Sequence, residues 1–173
     1  MRVWDLNVLD ILDYFLENRM SGLVKNIKKH KEKTVTKSEI KGISHITFIC
    51  KNLDKTSKMF REIFGAKEIY SSGKQTFSLS KEKFFKVGNL WIAIMKGKPI
   101  GKSYNHIAFR VDRKMVKTMK SKIKKLGLIL LPGRARQKEE GESLYFYDYD
   151  NHLFELHTGR LKTRLKYYLG KRS

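Results

Sequence analysis

The chain has 173 residues, 40% of them hydrophobic, which allows one packed domain with or without an extension and excludes wholesale disorder. A single cysteine, Cys50, excludes a disulfide framework and fits a reducing compartment. The formal charge of +21 raises the question of polyanion binding, but no helix-turn-helix, RNA-recognition or zinc-finger pattern accompanies the lysine clusters at 25–33 and 114–125. No nucleic-acid partner is expected; the lysines read as solvated helix faces whose positive field would draw in a small anion.

Residues 1–41 read as an amphipathic helix followed by a charged linker. Trp4, Val8, Ile11 and Phe15 follow helical spacing, and Leu9, Leu12 and Leu16 widen the stripe. Asp5, Asp10, Asp13 and Glu17 interrupt any apolar secretory core. No apolar run approaches the ~20 residues that span a bilayer, so no transmembrane segment is expected and the cytoplasm is the expected location. The stretch KKHKEKTVTKSEIK reads as the linker, and the main domain is expected over 42–173.

From Gly42 the chain repeats itself. Ser44–Thr47 and Asn105–Ala108 each carry a histidine at the second position and lead into a phenylalanine, in strand-like runs. Each run leads to a helix, expected over Leu53–Phe64 with Asp54 as N-cap, and over Arg113–Leu126. Each helix stops at a glycine, Gly65 or Gly127. The halves end alike, in NLWIAIMKG and NHLFELHTG. Two copies of strand–helix–strands, about 61 residues apart, predict an α+β fold of paired βαβββ modules. The repeats cover about 42–97 and 103–159, their curved sheets are expected to face a shared cavity, and a C-terminal helix is expected over 160–170. Cys50 reads as a small core residue.

The candidate chemistry lies on these strands. His45 shares a face with Thr47, His106 with Ala108, and Glu155 with His157. Pseudo-symmetry is expected to bring equivalent faces together, so that His45, His106 and Glu155 converge on one divalent metal. The repeat equivalent of Glu155 is Ala93, which cannot ligate. Three protein ligands would leave coordination positions open for substrate. A carboxylate inside the apolar run LFELH is costly unless paired or metal-bound. Asp148 and Asp150 read as shaping the turn before the last strand.

The stretches GISHITFICKNLDKTSKMF, IFGAKEIYSSGKQTFSLSKEKFF, LWIAIM, YNHIAF and SLYFYDYDNHLFELHTGRLKTRLKYY resemble the FosX-type fosfomycin hydrolases. These belong to the vicinal-oxygen-chelate superfamily, with glyoxalase I and the fosfomycin thiol transferases. The resemblance runs from Gly42 to about Tyr168 and omits the N-terminal residues, where family members usually have none.

The resemblance implies a paired βαβββ fold, a homodimer and a metal, normally Mn²⁺, held by His45, His106 and Glu155. It implies that Glu82 is a general base, taking the proton from water as water opens the oxirane of fosfomycin. The thiol transferases lack a glutamate there. It implies that Thr47, Tyr145 and Arg164 contact the phosphonate, with Ser143 and Arg136 beside them. Arg134 is an alternative to Arg136, because the loop at 133–142 matches less cleanly. Trp91 and Tyr104 read equally as cavity lining or packing. The alternatives within reach are thiol transfer, hydrolysis of another small phosphonate or epoxide, and drug sequestration.

Overall fold

The computed structural model of the chain describes residues Ser38–Gly170. The amphipathic helix expected near the N-terminus lies outside them. The alternating run His45–Cys50 forms β1, and Leu53–Phe64 forms α1. Three strands complete the first module: β2 (Lys67–Ser71), β3 (Glu82–Val87) and β4 (Leu90–Lys96). The second module repeats the plan with β5 (His106–Arg110), α2 (Val116–Lys125), β6 (Ile129–Leu130), β7 (Ser143–Tyr147) and β8 (Leu153–His157). Helix α3 (Leu161–Gly170) follows. The chain divides into two units, Met1–Gly42 and Ile43–Ser173, and all these elements lie in the second.

The N-cap of α1 is Asn52, not Asp54. Asn52 is extended, at φ −131° and ψ 103°, and its side chain accepts from the Lys55 amide at 2.9 Å. Asp54 falls in the first turn, where its charge meets the helix dipole, and it pairs with Lys83 at 2.9 Å. The second helix starts later than expected, because Arg113–Met115 form a 3-10 turn ahead of α2. Gly65 and Gly127 take φ +60° and +67°, the left-handed conformation that ends a helix without strain on a side chain.

The strands make two four-stranded mixed sheets, ordered β1-β4-β3-β2 and β5-β8-β7-β6. In each, the first strand runs parallel to the last and the others are antiparallel. The registers match. Thr47 pairs with Ala93 as Ala108 pairs with Glu155; Phe84 pairs with Ala93 as Tyr145 pairs with Glu155. Glu82 pairs with Met95 as Ser143 pairs with His157. Glu82 and Ser143 therefore occupy equivalent positions, as do Met95 and His157.

Both sheets turn their apolar faces into one core. Phe48 of β1 and Phe154 of β8 stand 5.1 Å apart between ring centroids, and Phe64 of α1 stands 4.5 Å from Phe109 of β5. Phe60, Phe85, Phe146, Ile92, Ile94 and Leu156 belong to the same cluster. Because strand side chains alternate, the residues between these are turned away from the core. The modules are also tied at the turn after β7. Asp148 Oδ1 accepts from the Asp150 and His152 amides, and Asp150 Oδ1 accepts from the Lys51 amide at 2.9 Å. Among the described residues no helix is long and apolar enough to cross a membrane.

Candidate metal centre and anion pocket

The second sheet carries four of the candidate residues, His106, Ser143, Tyr145 and Glu155, on its outward face. His106 Nδ1 lies 2.9 Å from the Tyr104 carbonyl, which can only accept. An uncharged imidazole held this way turns its Nε2 lone pair toward Glu155, whose Oε2 is 3.0 Å away. Two such acceptors repel unless a proton or a metal cation lies between them. Binding the second nitrogen to a backbone carbonyl is also how metal-ligating histidines are oriented. The donor set therefore fits a divalent ion.

Glu155 is buried and well supplied with donors. The Ser143 hydroxyl donates to its Oε1 at 2.5 Å, and Arg136 stands 3.7 Å from the same oxygen. Burial works against ionisation, yet hydrogen bonds from the Ser143 and Tyr145 hydroxyls hold the carboxyl below its usual range. Burial, with the Glu155 carboxylate next, pushes the Tyr145 phenol up to about 12. Burial also lowers His157, and Arg164 and Arg136 add to that effect while Glu155 opposes it.

The loop before β7 supplies cations. Arg136 is inserted, with its side chain only 10% exposed; its Nη2 donates to the Tyr145 hydroxyl at 3.0 Å. Its Nη1 is buried without a hydrogen-bond partner among the described residues. An unpaired buried guanidinium N–H is costly, and an anionic ligand would satisfy it. Arg134 turns the other way, to Glu140 at 3.2 Å, with 56% of its side chain exposed. Of the two loop arginines, Arg136 is the one beside Glu155. Arg164, on α3, reaches back to His157 Nε2 at 3.1 Å and to the Glu140 carbonyl at 3.4 Å. Tyr168 donates to Glu140 at 2.8 Å, so loop and helix are fastened together.

The first sheet carries the other candidates. His45, Thr47, Glu82 and Trp91 share its outward face by register. His45 packs against Trp91 with ring centroids 4.4 Å apart and planes tilted by 35°, and the Trp91 indole N–H is buried without a partner among the described residues. Glu82 is only 7% exposed. Its backbone is fixed by Ser72, whose Oγ accepts from the Glu82 amide at 3.0 Å and whose amide donates to the Glu82 carbonyl at 3.0 Å.

His106 and Glu155 meet, but within one chain His45 does not join them. Among the described residues no three His, Cys, Asp or Glu side chains come close enough to hold one metal ion. Both sheets spend their inward faces on the common core, which turns His45 and Glu155 outward on separate sheets. The expectation of a cavity shared by the two sheets of one chain is corrected accordingly.

No protein-family model matches the chain. It is 58% identical over 130 residues to the fosfomycin resistance protein FosX of Listeria monocytogenes serovar 1/2a (strain ATCC BAA-679 / EGD-e), covering 75% of this chain and 98% of that one. It belongs to the FosX family. A crystal structure of a mutant of Listeria monocytogenes FosX, complexed with Mn(II) and 1S,2S-dihydroxypropylphosphonic acid, superposes with a TM-score of 0.69 at 52% identity. That superposition covers 75% of this chain and 98% of the FosX chain. A metallothiol transferase FosB from Shouchella clausii (strain KSM-K16) is more distant, 35% identical over 135 residues, covering 75% and 88%.

Sequence reasoning gave no role to one residue that the structure places beside these candidates. His157 bridges Ser143, whose Oγ is 2.8 Å from Nδ1, and Arg164. Its alternation with Glu155 was the available signal; the partner across the sheet is set by register. Tyr104 also gains a definite place, through its carbonyl on His106 and its ring 6.2 Å from that of Tyr145.

Proposed function

We propose that the chain is a metal-dependent fosfomycin hydrolase, opening the oxirane with water to a dihydroxypropylphosphonate. The observation that carries this reading is the approach of His106 Nε2 to Glu155 Oε2 at 3.0 Å, with an Arg136 N–H that has no partner among the described residues nearby. His106 and Glu155 would hold Mn²⁺ together with His45. The metal would supply Lewis acidity at the oxirane oxygen. Arg136 and Arg164 would bind the phosphonate oxygens, with Thr47, Ser143 and Tyr145 completing the polar lining. Glu82, held in a buried position on a fixed strand, would accept the proton of the attacking water.

A homodimer makes the site whole. The outward face bearing His45, Thr47 and Glu82 would come from one copy, and the face bearing His106, Ser143, Tyr145 and Glu155 from the other. A two-fold arrangement is reciprocal, so two such faces per chain give two complete sites per dimer. The unpaired thiol of Cys50 suits a cytoplasmic enzyme.

The similarity to FosB supports a second reading, thiol transfer on the same phosphonate. A buried carboxylate base at Glu82 favours water, since a thiolate needs no such help. The test is ³¹P NMR of fosfomycin incubated with the full chain and Mn²⁺ but no thiol. Diol formation is expected. Strict dependence on added thiol would replace hydrolysis by transfer, and inertness under both conditions would point to another phosphonate or epoxide.

A further inference from the structure

The hydrogen bonds around His157 have only one consistent direction. Arg164 Nη2, 3.1 Å from His157 Nε2, can only donate. Nε2 must therefore accept, and the ring proton must sit on Nδ1. Nδ1 lies 2.8 Å from Ser143 Oγ and 3.4 Å from Glu155 Oε1, so it donates to the nearer Ser143 oxygen. With its lone pair engaged, the Ser143 hydroxyl directs its own proton to Glu155 Oε1 at 2.5 Å. The run Arg164 → His157 → Ser143 → Glu155 has every donor aimed toward the carboxylate, and it leaves Oε2 facing His106.

We propose that His157 is a positioning residue, locked in its Nδ1-protonated tautomer, that aims Ser143 at Glu155 through one ring nitrogen and holds Arg164 through the other. The proposal rests on the reading of Glu155 as a metal ligand and Arg164 as a phosphonate contact. It assigns to one imidazole the coupling of metal site and anion pocket. The ring is well placed for this, because its two nitrogens point to opposite partners and a partly buried strand position fixes its plane. The equivalent position in the first module is Met95, which can do neither job. The bridge is thus a feature of the second module.

Two amide variants separate the two arms. In His157→Asn the amide nitrogen falls near the place of Nδ1, so the Ser143 bond is kept and the Arg164 bond is lost. Mn²⁺ affinity should stay near wild type while KM for fosfomycin rises about 10–100-fold, the usual effect of removing an outer partner. In His157→Gln the amide oxygen reaches the place of Nε2, so KM should stay near wild type while Mn²⁺ affinity falls about 10–100-fold. His157→Ala should lose both. Equal losses of affinity and KM in the Asn and Gln variants, or an Ala variant that behaves as wild type, would overturn the proposal. A direct readout needs neither metal nor turnover. ¹⁵N-histidine NMR of the metal-free full chain, with the His157 signals assigned by their loss in His157→Gln, should show Nδ1 protonated and Nε2 bare. The opposite tautomer sinks the proposal. A wild-type chain that neither binds Mn²⁺ nor consumes fosfomycin would instead refute the functional reading, and the NMR result would still decide the tautomer.

Discussion

His106 and Glu155 stand 3.0 Å apart with an imidazole nitrogen and a carboxylate oxygen face to face. Removing a proposed direct ligand from such a pair should cost more than the roughly 10–100-fold that loss of an outer partner costs. Glu155→Ala is therefore expected to lower Mn²⁺ affinity more than about 100-fold, read by calorimetric or spin-resonance titration. Retained affinity would remove Glu155 from the coordination set.

Glu82→Gln keeps the size of the side chain and removes its basicity. Turnover of fosfomycin without thiol should fall by about 10²–10⁴-fold, while Mn²⁺ binding is unchanged. A fully active variant would deny Glu82 its role.

Sharing of the site between copies can be tested by mixing. His45→Ala and Glu155→Ala homodimers should each be inactive. Co-refolded in equal amounts, they should regain about a quarter of wild-type activity, because half of the dimers carry one intact site out of two. A mixture as inactive as its components would place all three ligands in one chain.

Glu140 links the 133–142 loop to α3, and its carboxyl is held down to about 2. The causes are the Gln137 backbone N–H first, then the Tyr168 hydroxyl and Arg134. A depressed folded value means that the stabilisation is fully present above the unfolded carboxyl range, about pH 4.3, and is lost as pH falls from there toward 2. The melting-temperature gap between wild type and Glu140→Gln should accordingly be constant at neutral pH and shrink through that acidic window. A gap independent of pH would contradict the ionic role.

Cys50 is buried, and burial pushes its thiol up to about 11. In the native protein at pH 8 it should react with a disulfide reagent far more slowly than it does after denaturation. Rapid native labelling would mean that the core opens readily around β1.

Much of this architecture was written in periodicity. Alternation along His45–Cys50 and Leu153–His157, and the matching endings of the two repeats, marked the strands and the faces they share. The registers then fell where the repeat placed them, with Ala93 opposite Thr47 and Glu155 opposite Ala108. What alternation cannot tell is which face of a sheet meets which neighbour. Phe48 and Phe154 decide that by burying both inward faces in one core, and His45 is separated from Glu155 as a result. The helix cap went to Asn52 over Asp54 because backbone conformation, not side-chain type, selects between two acceptors so near in sequence. The choice between Arg134 and Arg136 belongs to the loop, whose path is fixed by Glu140 rather than by any pattern. His157 needed its cross-strand partner Ser143 to acquire meaning.

The duplicated register gives this scaffold an unusual freedom. Glu82 and Ser143 fill twin slots, one beside a methionine and the other beside a histidine, on surfaces that contribute little to the shared interior. An exchange of one such side chain can redirect reactivity while the phenylalanines behind it go on specifying the same fold. A change confined to either slot therefore alters what the surface presents and leaves the container standing.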